Sequence, residues 1–351
     1  MSRIEDVALA AGVSTATVSR ALRGLPKVSD STRERVLAAA ARLEYVASPT
    51  ASSLASGKTR VVAVVVPYVN RWYFSHLISG ASRVLRRHGY HVLLFDLGDN
   101  GPQRSLLIDQ QMLWKRVDAV LVFQLRLQDA ETELLQRLQV PVVTVGASTG
   151  EWGGVSIDDV DVAVTATEHL ISLGHTDIAF IGGEPAPELD FVTPSYRQHG
   201  FVSTMTAHGC APPPSRMVMS DWTVAGGLAA GEQLLDGPDR PTAIFAASDE
   251  MAIGVLMAAR RLDVAVPMEV SVIGVDDHEL SAAFELTTVR QPVIEQGQQA
   301  SILLLQSLEH PDEPVVHTTL DTELVVRGST APPRVVAPCS AAELQREPEP
   351  A

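Results

Sequence analysis

Two short amphipathic segments joined through a single glycine constrain this chain most. Ile4, Val7, Ala8 and Ala11 recur at helical spacing, and so do Val18, Ala21 and Leu22. Gly12 lies between them, where a tight turn needs positive φ or a close helix approach. Ser14 is placed to cap the second helix. That helix exposes Thr15, Ala16, Thr17, Ser19, Arg20 and Arg23. Small polar residues with arginine near a helix N-terminus suit the major groove of DNA. An ordinary helical hairpin inside a larger core has the same apolar periodicity, so the neighbouring sequence has to decide.

A third helix is predicted from Ser29–Asp30–Ser31, all good caps, to about Leu43–Glu44. Glu34 suits its first turn, and Val36, Leu37, Ala40 and Leu43 form its apolar stripe. A core shared by three such helices is marginal alone, so the unit should lean on a partner or on DNA. In the segment that follows, Ser48 can cap a helix, Pro49 suits its first position and Gly57 can stop it. Two turns are too few for an isolated helix, so this one should form only when stabilised, and is otherwise a linker.

Charge separates this head from the rest. Residues 1–60 carry nine basic and five acidic residues, a net +4, and the remainder carries −19, within −15 overall. An acidic protein can bind DNA when the local face is basic. Cys210 and Cys339 stand far apart, so no disulfide framework is expected, and a reduced, cytoplasmic setting follows. The N-terminus reads as a helix-turn-helix, not a signal peptide, and no apolar run approaches the roughly 20 residues of a membrane span.

From Val61 onward, apolar strands alternate with helices. Val61–Val66, His91–Asp96, Ala119–Gln124 and Pro141–Val145 read as buried parallel strands, with helices near Phe74–His88, Pro102–Arg116 and Asp129–Gln139. A second series has strands at Ile178–Gly182, Met217–Met219, Ala243–Ala247 and Ser271–Val275. Its helices lie near Val162–Leu173, Ser195–Ala207, Ala225–Leu235 and Glu250–Arg260. Repetition of this unit predicts an α/β body of two doubly wound lobes with a cleft between them. Enzymatic signatures are missing. The turn after Val66 is Pro67-Tyr68-Val69-Asn70-Arg71 rather than a glycine-rich dinucleotide loop, and neither a Walker loop nor a nucleophile elbow occurs. His169, His175 and His199 lack metal-ligand spacing, so no metal and no cofactor are expected.

Residues 3–60 resemble the DNA-binding region of the lactose-repressor (LacI/GalR) family. The resemblance rests on Asp6-Val7-Ala8, Ala11-Gly12-Val13-Ser14, Thr17-Val18-Ser19-Arg20, Val28-Ser29 and Thr32-Arg33-Glu34-Arg35-Val36. It implies that the second helix enters the major groove, with Thr15, Ala16 and Arg20 at base-reading positions and Ser14, Thr17 and Ser19 at phosphates. Pro49–Ser56 resembles the hinge helix, with Leu54 at its minor-groove wedge. Two departures stand out. Glu44 replaces the family's glycine before Tyr45, so the turn there could differ, and Val46-Ala47 replace a basic residue and a proline.

Residues 61–328 are similar to the family's periplasmic-binding-protein-like regulatory domain. The matching stretches are Val155–Asp159, His169–His175, Ile178–Gly182, Arg197–Phe201, Ser248–Gly254 and Val272–Asp277. Arg71-Trp72 stands where an Asn-Pro is usual, before the paired aromatics Tyr73-Phe74. In the cleft so implied, Arg197 offers a planar donor fork and Asp276 a carboxylate acceptor, suited to adjacent hydroxyls of a sugar. Ser248 and Asp249 fall at a strand's C-terminal end, Trp222 at the stacking position, and Tyr73 and Phe74 on the opposite wall. Tyr73 and Phe74 could equally be core packing, whereas for Trp222 the stacking role is favoured; Arg197 could be a structural ion-pair partner.

The resemblance implies a ligand-responsive regulator of transcription, a repressor of a pseudo-palindromic operator, with a small molecule in the cleft altering DNA affinity. Trp222 favours a carbohydrate; a nucleobase or a protein partner are the alternatives, and a solute-binding protein a distant one. The expected layout is residues 1–46 as the DNA-binding head, 47–60 as hinge and linker, and 61–330 as the effector and dimerisation body. Its first lobe covers about 61–158 and 291–318, and its second about 159–290 and 319–330. Residues 331–351, rich in proline, alanine and glutamate and without leucine heptads, are expected to be a disordered tail, favouring a homodimer over a tetramer. Phe74–His88 and Glu250–Arg260 are the candidate interface helices.

Overall fold

The computed structural model describes residues 2–45, 57–98, 113–146, 151–183 and 192–334. Helices α1 (Ile4–Ala11), α2 (Thr15–Leu22) and α3 (Asp30–Arg42) form the head. Gly12 closes α1 at φ 64°, and a Cβ placed there would meet nothing within 4 Å, so the turn needs glycine for its backbone and not for space. Ser14 Oγ accepts the Thr17 amide at 3.2 Å and Ser29 Oγ accepts that of Thr32 at 3.3 Å, as N-caps do. Val7, Ala8, Ala11, Val18, Ala21, Val36, Ala39 and Ala40 make a small, alanine-rich core. Arg33 reinforces it by donating to the Ala21 and Leu25 carbonyls at the C-terminal end of α2. The turn after α3 keeps a left-handed closure despite its missing glycine. Glu44 adopts φ 48°, and the Tyr45 amide donates back to Ala40 at 2.9 Å. A left-handed non-glycine residue costs about 1 kcal/mol, which this closing hydrogen bond helps to offset. The hinge segment Pro49–Ser56, with Leu54, lies outside the described residues.

The body contains two six-stranded sheets. In the first, β1 (Val61–Val66), β2 (His91–Asp96), β3 (Ala119–Phe123), β4 (Val142–Val145), β5 (Gly153–Ser156) and β11 (His317–Thr319) run parallel in the order β11-β5-β4-β3-β1-β2. The second orders β12 (Glu323–Val325), β10 (Thr287–Arg290), β9 (Ser271–Asp276), β8 (Ala243–Ala246), β6 (Ile178–Gly183) and β7 (Met217–Ser220). Only β12 is antiparallel to its neighbour there. Strands such as Val-Val-Ala-Val-Val-Val are apolar throughout because helices cover both faces of such sheets.

Helices α4 (Trp72–Arg87) and α10 (Val293–Glu309) pack together on the first sheet, which also carries α5 (Asp129–Leu138). On the second, α6 (Asp159–Ser172) pairs with α7 (Thr193–Ala207), and α8 (Val224–Leu235) with α9 (Asp249–Arg261). The chain passes between the sheets three times: after β5, after β10, and between β11 and β12. The second pass returns α10 and β11 to the first lobe, and the third carries β12 back to the second. The expected helix at Pro102–Arg116 falls largely outside the described residues.

Several elements begin or occur where the apolar pattern gives no signal. Helix α6 starts at Asp159 because Asp158 caps it, accepting the Val160 and Asp161 amides at 3.0 Å each. Strand β10 opens with Thr287 and Thr288, which are fully buried with their hydroxyls bonded, so it has no apolar run to read. Strand β5 begins with two glycines.

Candidate functional site

Two places gather the candidate residues. The first is α2. Val18 and Ala21 hold it to the core, while Ser14, Thr15, Ala16 and Arg20 are exposed and Thr17 and Ser19 half-buried. Ser14 Oγ also lies 2.9 Å from Thr17 Oγ1, so the pair forms one polar edge at the helix N-terminus. Positive helix dipole, small side chains and one long arginine share a single face.

The second is the cleft, at the C-terminal ends of the strands of both lobes. Arg197, on α7, is 4 % exposed. Its Nε and Nη2 both lie 2.8 Å from Asp159 Oδ1, and its Nη1 donates to the Ala247 carbonyl. The ion-pair alternative therefore holds: Arg197 is a paired group with part of its fork committed. Burial alone would depress its guanidinium, but Asp159 and then Asp276 more than offset that and hold it charged. Asp276 ends β9 at φ 128°, an uncommon backbone for aspartate. Its Oδ1 accepts from Gln291 at 2.5 Å. Burial pushes its carboxyl well above the ordinary range, against the pull of Arg197 and with a further push from Asp249.

Ser248 and Asp249 face inward rather than into the cleft. Ser248 Oγ caps α9 by accepting the Met251 amide. Asp249 is fully buried and its carboxylate accepts from the Thr288 hydroxyl, the His278 amide and the Ser281 hydroxyl, at 2.7, 2.9 and 2.6 Å. A Cβ at Gly274 would stand 2.1 Å from Asp249 Oδ1, so glycine is needed there for the carboxylate to reach the loop after β9. The direct ligand contact expected of Asp249 gives way to a positioning one, because three internal donors use its lone pairs.

Trp222 follows β7 at φ 64° and lays its indole over the end of β6; a Cβ on Gly183 would fall 1.8 Å from that ring. The opposite wall is Tyr73, on α4, whose hydroxyl donates to Gln296 Oε1 at 3.1 Å and accepts from Gln124 Nε2 at 2.8 Å. Phe74 is 7 % exposed, belongs to the first-lobe core and meets Tyr73 edge-on at 5.3 Å. It buttresses the wall, as the core-packing alternative had it.

Five residues that carry the site's connections went unrecognised in the sequence: Asp159, Gln124, Thr193, Gln291 and Gln296. Thr193 Oγ1 bonds both Gln124 Oε1, at 3.3 Å, and Asp159 Oδ2, at 3.2 Å. Gln296 Nε2 donates to Gln291 Oε1 at 3.0 Å. One hydrogen-bonded path thus runs Arg197–Asp159–Thr193–Gln124–Tyr73–Gln296–Gln291–Asp276, crossing from the second lobe to the first and back. A polar residue just past the end of β3 was a readable signal for Gln124. Nothing in the sequence marks Gln296, which sits inside an amphipathic helix.

At the rim a second cluster crosses the cleft. Trp72 Nε1 donates to Glu279, and the Trp72 ring lies 4.3 Å from that of His76 and 4.9 Å from that of His278. Arg71 donates to the Asp221 carbonyl at 3.2 Å. The Arg71-Trp72 departure noted in the sequence therefore builds cross-lobe contacts. Among the described residues no group of His, Cys, Asp and Glu could hold a metal ion, and no helix is long and apolar enough to cross a membrane.

Comparison with known proteins places this geometry. A model described as "Bacterial regulatory proteins, lacI family" matches residues 3–48, and one described as "Periplasmic binding protein-like domain" matches residues 167–330. The chain is 37% identical to the HTH-type transcriptional repressor CytR of Escherichia coli (strain K12) over 332 residues, 93% of this chain and 96% of that protein. The lac repressor dimer bound to operator and the anti-inducer ONPF superposes with a TM-score of 0.84 at 26% identity, covering 94% of this chain and 99% of that one. A complex of the transcriptional regulator CelR with cellobiose gives a TM-score of 0.69 at 31% identity, covering 94% and 100%. A helix-turn-helix head on a two-lobed body, matched along nearly its whole length, makes this chain a DNA-binding regulator of transcription, not an enzyme, and a member of the lacI family of bacterial regulatory proteins.

Proposed function

We propose that the protein is a homodimeric, cytoplasmic repressor that binds a pseudo-palindromic operator and changes its DNA affinity when a small molecule, a sugar, occupies the cleft. The observation that carries this is that Arg197 and Asp276 lie within electrostatic reach of each other between the Trp222 face and the Tyr73 wall, joined by one polar path through both lobes. A pyranose presents an apolar face to an indole and hydroxyls to a guanidinium and a carboxylate. The cellobiose complex of CelR supports a sugar, and the operator-bound dimer of the lac repressor supports the assembly. Ser248 and Asp249 hold α9 and the loop after β9 in place around the ligand, and Phe74 backs Tyr73.

On DNA, Thr15, Ala16 and Arg20 read bases, Ser14, Thr17 and Ser19 bind phosphates, and Leu54 wedges the minor groove. The head is residues 1–46, the hinge 47–60 and the body 61–330, with 331–351 a tail. Effector closure shifts the first lobes of the dimer, and the hinge, too short to fold alone, transmits that shift.

The test is operator selection followed by fluorescence anisotropy with and without D-ribose and cellobiose. A sugar should shift operator affinity by about 5- to 150-fold, the span of a 1–3 kcal/mol coupling. Arg20→Ala should weaken cognate binding by about 1–3 kcal/mol and relax one base position. An unchanged operator affinity in Arg20→Ala removes it as a base reader, and nucleosides acting where all sugars fail would move the effector class.

A further inference from the structure

The charges around the cleft restrict what can enter it. Among the described residues, carboxylates of Asp159, Asp221, Asp249, Glu250, Asp276 and Glu279 bear on the site, against the guanidinium groups of Arg71 and Arg197. Both cations are already engaged. Arg197 is held by Asp159 and the Ala247 carbonyl. Arg71 donates to the Asp221 carbonyl, sits 5.7 Å over the Tyr68 ring and faces Glu250. His76 and His278 lie at the rim within 3.9 and 3.8 Å of Glu279, which balances them when they are protonated.

Three of the helix N-termini, the other natural anion sites, already carry side-chain caps. α6 is capped by the Asp158 carboxylate, and α9 by Ser248 with Asp249 and Glu250 in its first turn. The Thr223 hydroxyl caps α8, itself held by Asp221 Oδ1 at 2.6 Å. α7 opens with Thr193-Pro194, and the proline removes one N–H from its first turn. The start of α4 faces Glu279 through Trp72. By contrast, acceptors for hydroxyl donors are plentiful.

We infer that the cleft takes an uncharged, hydroxyl-bearing effector and rejects the phosphorylated form of the same molecule. This rests on the effector reading above and narrows its ligand class. A phosphate entering this field meets more carboxyl than guanidinium groups among the described residues, and Arg71 and Arg197 are both already engaged. At an effective dielectric of about 20 and separations of about 8 Å, each added negative charge facing one net carboxylate costs about 30-fold in affinity.

Matched pairs test it on the full chain by isothermal titration calorimetry: D-ribose with D-ribose 5-phosphate, cellobiose with cellobiose 6′-phosphate, and uridine with uridine 5′-monophosphate. The neutral member of a pair should bind, and its phosphorylated partner at least about 30-fold more weakly. Glu250→Gln, a rim change outside the contacts assigned to the ligand, should narrow that ratio several-fold while leaving the neutral affinity in place. A phosphorylated member that binds as tightly as its partner overturns the charge class and leaves the effector reading standing. A ratio unmoved by Glu250→Gln also overturns it, since the field would not be the cause. Silence from all six probes overturns the effector reading and this inference with it.

Discussion

Asp159→Asn should be the most damaging conservative change in the body. The Asp159 carboxylate and Arg197 guanidinium are 8 % and 5 % exposed, and Asp159 Oδ1 takes two of the arginine's N–H groups at 2.8 Å. Removing one partner of a buried pair costs about 3–5 kcal/mol, because the other charge is left in a poor dielectric. Two features of this site place the loss near the lower end. The Ala247 carbonyl still accepts from Arg197, and Asp276, held partly protonated by burial, ionises more readily once Asp159 stops competing for the arginine. The expected loss is about 3 kcal/mol in urea unfolding followed by circular dichroism. A pair of similar chemistry supplies the control. Arg137 and Glu133 lie 3.2 Å apart but are 67 % and 64 % exposed, so Arg137→Ala should cost at most about 0.5 kcal/mol. The double change Asp159→Leu, Arg197→Met should recover most of the loss, since an apolar pair carries no desolvation debt. A loss below about 1 kcal/mol in Asp159→Asn, or a double variant worse than the single, refutes the account of a charge trapped without its partner.

Gly183→Ala should move the Trp222 indole off the end of β6, because its Cβ would lie 1.8 Å from that ring. Effector affinity should drop about tenfold, in line with losing an aromatic stacking face of about 1.5 kcal/mol, while operator binding without effector is kept; an unchanged effector affinity takes Trp222 out of the cleft wall. His175 is buried and bonded to Thr242, Ser271 and the Ala331 carbonyl, and burial holds it below its ordinary pKa, as it does His169. The unfolded chain then binds the proton more readily, so this contribution is complete above about pH 6.5 and is lost as pH falls below it. Asp276, Asp249 and Glu250 are raised by burial and act in the opposite sense, losing stability as pH rises. The measurement is therefore the difference in unfolding free energy between the parent and His175→Asn at pH 8, 6.5 and 5. The gap should shrink on acidification, and a constant gap refutes the assignment. Leu54→Ala should reduce operator bending and specific affinity together, read by circular-permutation gel shift and anisotropy; bending that persists removes the wedge role.

The sequence disclosed the parts of the fold that obey a period. Helical spacing around Gly12 and runs such as Val61–Val66 carry their own structure, and the elements formed there. What stayed hidden was set by partners distant in the chain. Thr287 and Thr288 suit a strand by their β-branching, but with no apolar run to mark it the strand is placed by β9 and β12 on either side. The cleft divides in the same way. Arg197, Asp276 and Trp222 were legible because they fall on positions that the family resemblance marks as its cleft. Asp159, Thr193, Gln124, Gln291 and Gln296 are ordinary polar residues whose meaning lies in what they touch. Asp249 misled because a carboxylate at a strand's end usually faces a ligand, and the requirement for Gly274 beside it shows only in three dimensions.

The distribution of those polar residues bears on how such a body can switch. Arg197 and Asp276 both belong to the second lobe, yet neither is anchored there alone. Asp159 is tied through Thr193 to Gln124, and Asp276 through Gln291 and Gln296 to Tyr73. Gln124 and Tyr73 stand on the first lobe, and they bond each other. A rotation of one lobe on the other therefore breaks hydrogen bonds whose donors and acceptors are mostly buried, and each left unmade costs about 1–3 kcal/mol. A ligand hydroxyl set is the natural replacement for such bonds, because it can satisfy the same groups in a different lobe arrangement. The rim contacts of Trp72 with Glu279 and of Arg71 with the Asp221 carbonyl add a more exposed set that opens at lower cost. With deep bonds that resist gradual stretching and rim bonds that exchange with water, the lobes should rest in discrete positions. That is the bistability a ligand needs in order to act on a hinge some distance away.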